Sequence, residues 1–168
     1  MKVVRLLGLV GIAFLMGGQS LFAQAKQQKE EKKARQEQMV KEQIENGRFK
    51  VDVDRAMPMQ GRPVNLTSSY SLEVRGDSVI SYLPYFGRAY SAPYGGGDVM
   101  RFEALLTDYS CTYAKKGVAQ IKFRTKTKED TYDFRMQIYP NGSSTLNVTP
   151  VNKQAISYTG ELKTKEAE

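Results

Sequence analysis

Histidine is absent from all 168 residues of this chain. Ser-His-Asp and Cys-His catalytic pairs need an imidazole that exchanges a proton near neutral pH, so both are excluded. Cysteine occurs once, at Cys111. Zinc sites built on His or on several Cys are excluded with it. An internal disulfide is excluded too, so the fold must be held by its core. A long hydrophobic run is also missing. The apolar stretch at residues 6–16 is broken by glycines and too short for a permanent membrane span. A concentrated basic patch is not visible either: the formal charge of +7 is spread along strand-like segments. That argues against nucleic acid as a partner.

What is there begins with an address. Lys2 and Arg5 precede the apolar stretch, and small residues follow at Ala23 and Ala25. This is the pattern of a secretory signal peptide over residues 1–23, with cleavage after Ala23 or Ala25. Cleavage removes two cations and no acid, taking the charge from +7 to +5. No cysteine near the cut offers a lipid anchor. The expected product is exported, without a membrane span, and monomeric.

Residues 24–47 form a charged helical segment. Between 26 and 46 nearly every residue is a strong helix former, and Asn46-Gly47 is a stop signal. Val40 and Ile44 in its last turns are candidates to dock on the remainder. A coiled coil lacks its apolar stripe.

From Arg48 the period changes to two. Phe49, Val51 and Val53 alternate with charged residues as a first strand, and residues 57–65 read as a connection. Tyr70, Leu72 and Val74 lead to Gly76-Asp77, a two-residue hairpin turn that pairs Arg75 with Ser78 and Val74 with Val79. Ile80 and Tyr82 stand as apolar exceptions on the polar face. Residues 99–114 read as two strands or one bent strand. A turn at Lys115-Lys116-Gly117 sets Cys111 opposite Ile121 and Tyr109 opposite Phe123. A turn near Lys128-Glu129 pairs Phe123 with Phe134 and Ile121 with Met136. Next, a three-residue bulged loop over residues 141–143 would set Ile138 against Leu146 and Met136 against Val148. Ile156, Tyr158 and Leu162 share a face of the last strand, and residues 163–168 are a polar tail.

These segments predict an all-β domain over residues 48–162. About eight strands form a curled antiparallel meander or small lipocalin-like barrel, preceded by the N-terminal helix. A two-sheet β-sandwich is the alternative.

One loop departs from this economy. Residues 81–98 read SYLPYFGRAYSAPYGGGD. Tyr85, Phe86, Tyr90 and Tyr94 bring four rings, with Arg88 among them. Such residues bind sugars, peptides or proteins at exposed surfaces, or pack on themselves as a plug at a barrel end. Gly95-Gly96-Gly97-Asp98 lacks the Lys-Ser/Thr of a phosphate loop and reads as a hinge. Asp98, Glu103 and Asp108 match no metal-loop spacing and read as strand charges. No metal and no cofactor are expected. Cys111 reads as a small core residue. The sequons at Asn65, Asn141 and Asn147 read as turn and strand residues.

Three segments carry a resemblance: NLTSSYSL at residues 65–72, LPYFGRAYSAPY at 83–94, and YPNGS at 139–143. Together they resemble domain of unknown function family 4251, small exported proteins of Bacteroides-type gut bacteria. The resemblance spans about residues 49–162. It implies export to the periplasm or outer envelope surface and a β-rich domain, with no catalytic residues to carry over. The resulting expectation is a non-catalytic envelope module that binds a small ligand, a glycan or an envelope protein segment through a barrel mouth and the aromatic loop. A structural or assembly protein, with the loop as core plug, is the alternative. A carboxylate-based hydrolase is the third.

Asp77-Ser78-Val79 also resembles the short Asp-Ser/Thr-aliphatic sites of O-glycosylation in exported Bacteroides proteins, with Ser78 at a turn. If Ser78 is glycosylated, the native protein carries mass above its calculated mature value. An unmodified intact mass rules it out.

Overall fold

A computed structural model of the protein describes residues 17–90 and 99–164. Most of the expected signal peptide, Tyr94, the Gly95–Asp98 segment and the end of the polar tail lie outside the described residues. The chain divides into two compact units, 1–36 and 37–168. In the first, the described residues are helical. The second holds the last turns of the same helix and all the strands.

Helix α1 spans Gly17–Glu45. It begins upstream of the charged segment, because residues 21–25 (Leu-Phe-Ala-Gln-Ala) are also good helix formers. Its stop is where Asn46-Gly47 places it: Asn46 N–H donates to Glu42 O and Gly47 N–H to Ile44 O. Val40 and Ile44 are buried in the core of the second unit, each 3% exposed.

Eight strands follow as a closed antiparallel barrel in chain order. They are β1 (Arg48–Pro58), β2 (Val64–Arg75), β3 (Ser78–Pro84), β4 (Val99–Tyr113), β5 (Ala119–Lys126), β6 (Thr131–Ile138), β7 (Ser143–Pro150) and β8 (Ile156–Leu162). β1 pairs with β8 to close the ring. The barrel expectation holds and the sandwich does not. The reason lies in the alternation: each strand has one apolar face, and closure buries most of these faces together without leaving an edge, the part of β4 beyond its bulge staying exposed at Tyr109 and Tyr113. The apolar faces fill the interior. Leu72, Ile121, Met136, Ile138, Leu146 and Tyr158 are fully buried, and Phe123 stacks on Phe134 at 4.7 Å while Phe102 stacks on Tyr132 at 4.7 Å.

Most expected registers hold. Val74 faces Val79, Cys111 faces Ile121, and Phe123 faces Phe134. Three expectations differ, each for a local reason. β1 runs on to Pro58, so the connection to β2 shrinks to residues 59–63. A bulge lets β1 continue: Val53 pairs with Gly160 but Arg55 pairs with Thr159, leaving Asp54 unopposed. β4 is one bent strand, pairing with β3 through Leu105 and with β5 from Leu106. Its bend is a bulge at Asp108, whose φ of 53° suits an Asp. That bulge takes Tyr109 out of register with Phe123. The β6–β7 loop does have three residues, but they are Pro140, Asn141 and Gly142. Tyr139 N–H donates to Ser143 O, and Gly142 sits at φ 88° as the bulge glycine. Met136 therefore meets Leu146 and Ile138 meets Ser144. The two-residue displacement keeps every side chain on its expected face.

The closing seam depends on a glycine. Gly160 points into the barrel where the bulged β1 crosses closely. A Cβ there would overlap Asp52 O and lie 2.8 Å from Val53 Cα. These are backbone atoms and cannot rotate away. Gly160→Ala is expected to cost about 2–3 kcal/mol of stability, read from urea unfolding. A change within about 0.5 kcal/mol would show that the seam tolerates a side chain.

Candidate binding surface at one end of the barrel

The aromatic loop leaves β3 at the end of the barrel that also carries the β5–β6 turn and the β7–β8 connection. The period-two alternation of β3 continues past the strand. Val79, Ser81 and Leu83 point inward, and Tyr85 falls on the same side. Tyr85 is 7% exposed. Its hydroxyl lies 3.0 Å from both Arg88 O and Gln154 O, and its proton serves one carbonyl at a time. Beneath it, the buried Tyr158 hydroxyl donates to Pro84 O at 2.7 Å. Gly87 is necessary to this fold-back, since a Cβ would overlap the Tyr85 hydroxyl and lie 2.6 Å from the ring carbon that bears it.

The next residues form an arm laid along the β7–β8 connection. Ala89 bridges Lys153. Tyr90 N–H donates to Asn152 O at 2.8 Å, and Gln154 N–H donates to Arg88 O at 3.0 Å. Arg88 N–H donates to Gln154 Oε1 at 3.3 Å. That connection is in turn organised by Asp130, a buried carboxylate. It accepts from the N–H groups of Thr131, Val151 and Asn152 and from the Asn152 side-chain amide. Lys153 is also buried, with Nζ 5.4 Å from the centre of the Tyr85 ring. A cation over a ring in a dry setting recovers part of the cost of its burial.

The loop is therefore divided. Tyr85 is a plug. Phe86 at 43% exposure and Tyr90 at 71% face outward, and Arg88 is exposed beside them. Tyr94 lies outside the described residues. The arm is held at both faces: Tyr85 below, the Asp130-ordered connection alongside. Buried side chains fill the interior, and the rings that stay accessible, Phe86 and Tyr90, lie on the outer side of this arm.

The remaining candidates lie apart. Ser78 sits half-buried beside the β2–β3 turn, and its hydroxyl donates to Arg75 O at 3.2 Å. Cys111 is half-buried against the core, and burial, with a smaller contribution from Glu45, pushes its thiol up. Glu103 pairs across to β3, while Asp108 occupies the β4 bulge. Among the described residues, no three potential metal ligands gather. Asn65 accepts from Arg55 Nε, Asn141 from Ser143 N–H, and Asn147 from the Ser157 hydroxyl.

Sequence reasoning missed Asp130 and Lys153, whose burial no local pattern announces. It also missed the division between Tyr85 and Phe86, although extending the β3 alternation by two residues identifies it.

Comparisons agree with this architecture. The family model described as "Domain of unknown function (DUF4251)" matches residues 31–162. The crystal structure of a DUF4251 family protein from Bacteroides eggerthii is similar, at 14% identity and a TM-score of 0.62. The likeness covers 77% of this chain and 87% of that one. At this identity it concerns the fold alone. No curated protein matches.

The buried phenols carry a pH dependence. Burial pushes Tyr132 up to about 12, with smaller contributions from Asp130 and Glu129, and pushes Tyr158 higher still. Burial raises Tyr85 against the opposing hydrogen bond to Gln154. The unfolded chain ionises these groups near pH ~10. Their contribution is thus fully present below about pH 10 and is lost as pH rises towards and through the raised folded values. The urea midpoint should hold up to about pH 10 and then fall, in step with tyrosinate absorbance. A midpoint unchanged across that window would mean that the phenols ionise in place.

Proposed function

We propose, from the premise that this chain belongs to the DUF4251 family, that it is an exported, non-catalytic binding module of the cell envelope. In this reading the filled barrel is a scaffold, and the contact surface is the arm bearing Phe86, Arg88 and Tyr90. A single observation carries it. Tyr85 fixes the arm from inside, yet the adjacent rings stay exposed. A large aromatic left in water has to be compensated elsewhere in the fold, whereas a pre-ordered ring beside a guanidinium binds a partner at little entropic cost. A glycan or an extended protein segment fits an open arm better than a small enclosed ligand does.

Export is supported by the basic, apolar and small-residue order of the first residues. Binding from the aqueous side is supported by the polarity of the barrel. Lys50, Glu73, Lys122, Arg124 and Arg135 project outward and most apolar side chains inward, with Tyr82 and Leu105 among the exposed exceptions, the reverse of a membrane barrel. Among the described residues, no helix is long and apolar enough to cross a membrane. The absence of histidine supports a non-catalytic role. The burial of Tyr85 also favours a second reading, in which the loop serves the fold and the protein is structural.

Paired variants separate these. Phe86→Ala with Tyr90→Ala should change stability by less than about 0.5 kcal/mol while abolishing retardation by envelope polysaccharides and peptidoglycan fragments in affinity electrophoresis. Tyr85→Ala should cost about 3–4 kcal/mol. If wild type and double variant migrate alike, the arm is not a binding surface and the structural reading stands.

A further inference from the structure

At the opposite end of the barrel, where α1 runs into β1, a cleft of about 690 Å³ opens on the outer surface. Its lining includes Gln43, Arg48, Lys50, Glu73, Arg75 and Lys163. Four cations thus surround one acid. They are distant in the sequence, which is why the charge looks dispersed there, and closure of the ring gathers them. Arg48 stands directly opposite Arg75 across the β1–β2 ladder. On the other side of β1, Lys163 donates its backbone N–H to Lys50 O at 2.8 Å. Like charges in facing positions of neighbouring strands repel and destabilise a sheet.

The available acids do not balance this group. Glu73 is taken by Arg75 at 2.6 Å, and Asp52 lies 3.8 Å from Lys50. Among the described residues, Arg48 and Lys163 have no carboxylate partner. The volume is that of a small-molecule site. One further group points to an occupant: Gln43 Oε1 is buried without a donor, and an unsatisfied buried carbonyl is costly.

We propose that this cleft binds a small multivalent anion, one carrying two or more phosphate or carboxylate groups, with Arg48 and Lys163 as its principal contacts. The Arg48 guanidinium offers a planar fork that matches either group, and Lys163 adds a point charge from β8. The anion relieves the Arg48–Arg75 and Lys50–Lys163 repulsions. The site is independent of the aromatic arm and needs no cofactor.

Thermal unfolding of the purified protein at low ionic strength, titrated with tripolyphosphate or citrate, tests this. Binding to the folded state raises Tm with ligand concentration. Arg48→Ala and Lys163→Ala should each weaken the apparent affinity about tenfold, the loss of one charge-assisted contact. Without anion, Arg48→Ala should melt no lower than wild type because a like-charge pair is gone, so a lost response cannot be mistaken for misfolding. The double variant Arg62→Ala and Lys128→Ala removes two charges, more than either single variant, at other exposed positions and should retain the response. A greater effect of tripolyphosphate assigns phosphate chemistry, and a greater effect of citrate assigns carboxylate chemistry. The site is refuted if neither anion raises Tm, if Arg48→Ala responds like wild type, or if the control variant loses the response equally.

Discussion

The pairing of β1 with β8 is the constraint on which this molecule depends. Seven of the eight strand contacts join strands consecutive in the chain, six of them through hairpins or short connections. The eighth joins residues at the two extremes of the domain, and only it converts a curled sheet into a barrel. Its geometry is tight. Asp54 is the extra residue of the β1 bulge and accepts from the Thr159 hydroxyl at 3.0 Å, while Gly160 lets the two backbones approach. With no disulfide available, the core must supply the stability, and the core is complete only once the seam has closed.

Closure also creates two ends, and they are finished differently. At one end, Val40 and Ile44 of α1 join the core, and the cations of β1, β2 and β8 converge on the adjacent outer surface. At the other, Tyr85 turns inward and the Asp130-ordered connection supports an arm with rings facing outward. The result is a filled scaffold with an aromatic surface and a basic cleft at opposite ends, each made from segments that meet only in the closed barrel.

Much of the architecture is legible in the sequence because the side-chain period of a strand is two. The Gly76-Asp77 turn and the facing pairs Val74–Val79, Ile121–Met136 and Phe123–Phe134 follow from matching apolar positions. Where the reading slipped, at the Pro140–Gly142 loop, it slipped by two residues and so kept the faces. Bulges are harder to see. Asp54 and Asp108 look like ordinary polar positions, and only the demands of closure and of a change of partner strand reveal why the ladder pauses there. The aromatic loop shows the same boundary: its composition marks it as unusual, but not which ring goes inside.

The sequence by itself determined the helix and its stop, the strand order and the exclusion of histidine chemistry. Each of these rests on local composition or on a short period. The tertiary structure decided that the sheet closes, that Tyr85 is core while Phe86 and Tyr90 are surface, and that Arg48, Lys50, Arg75 and Lys163 share one cleft. These outcomes depend on contacts between residues far apart in the chain. Burial, charge repulsion and backbone approach at such contacts are properties of the closed ring, and no single segment contains them.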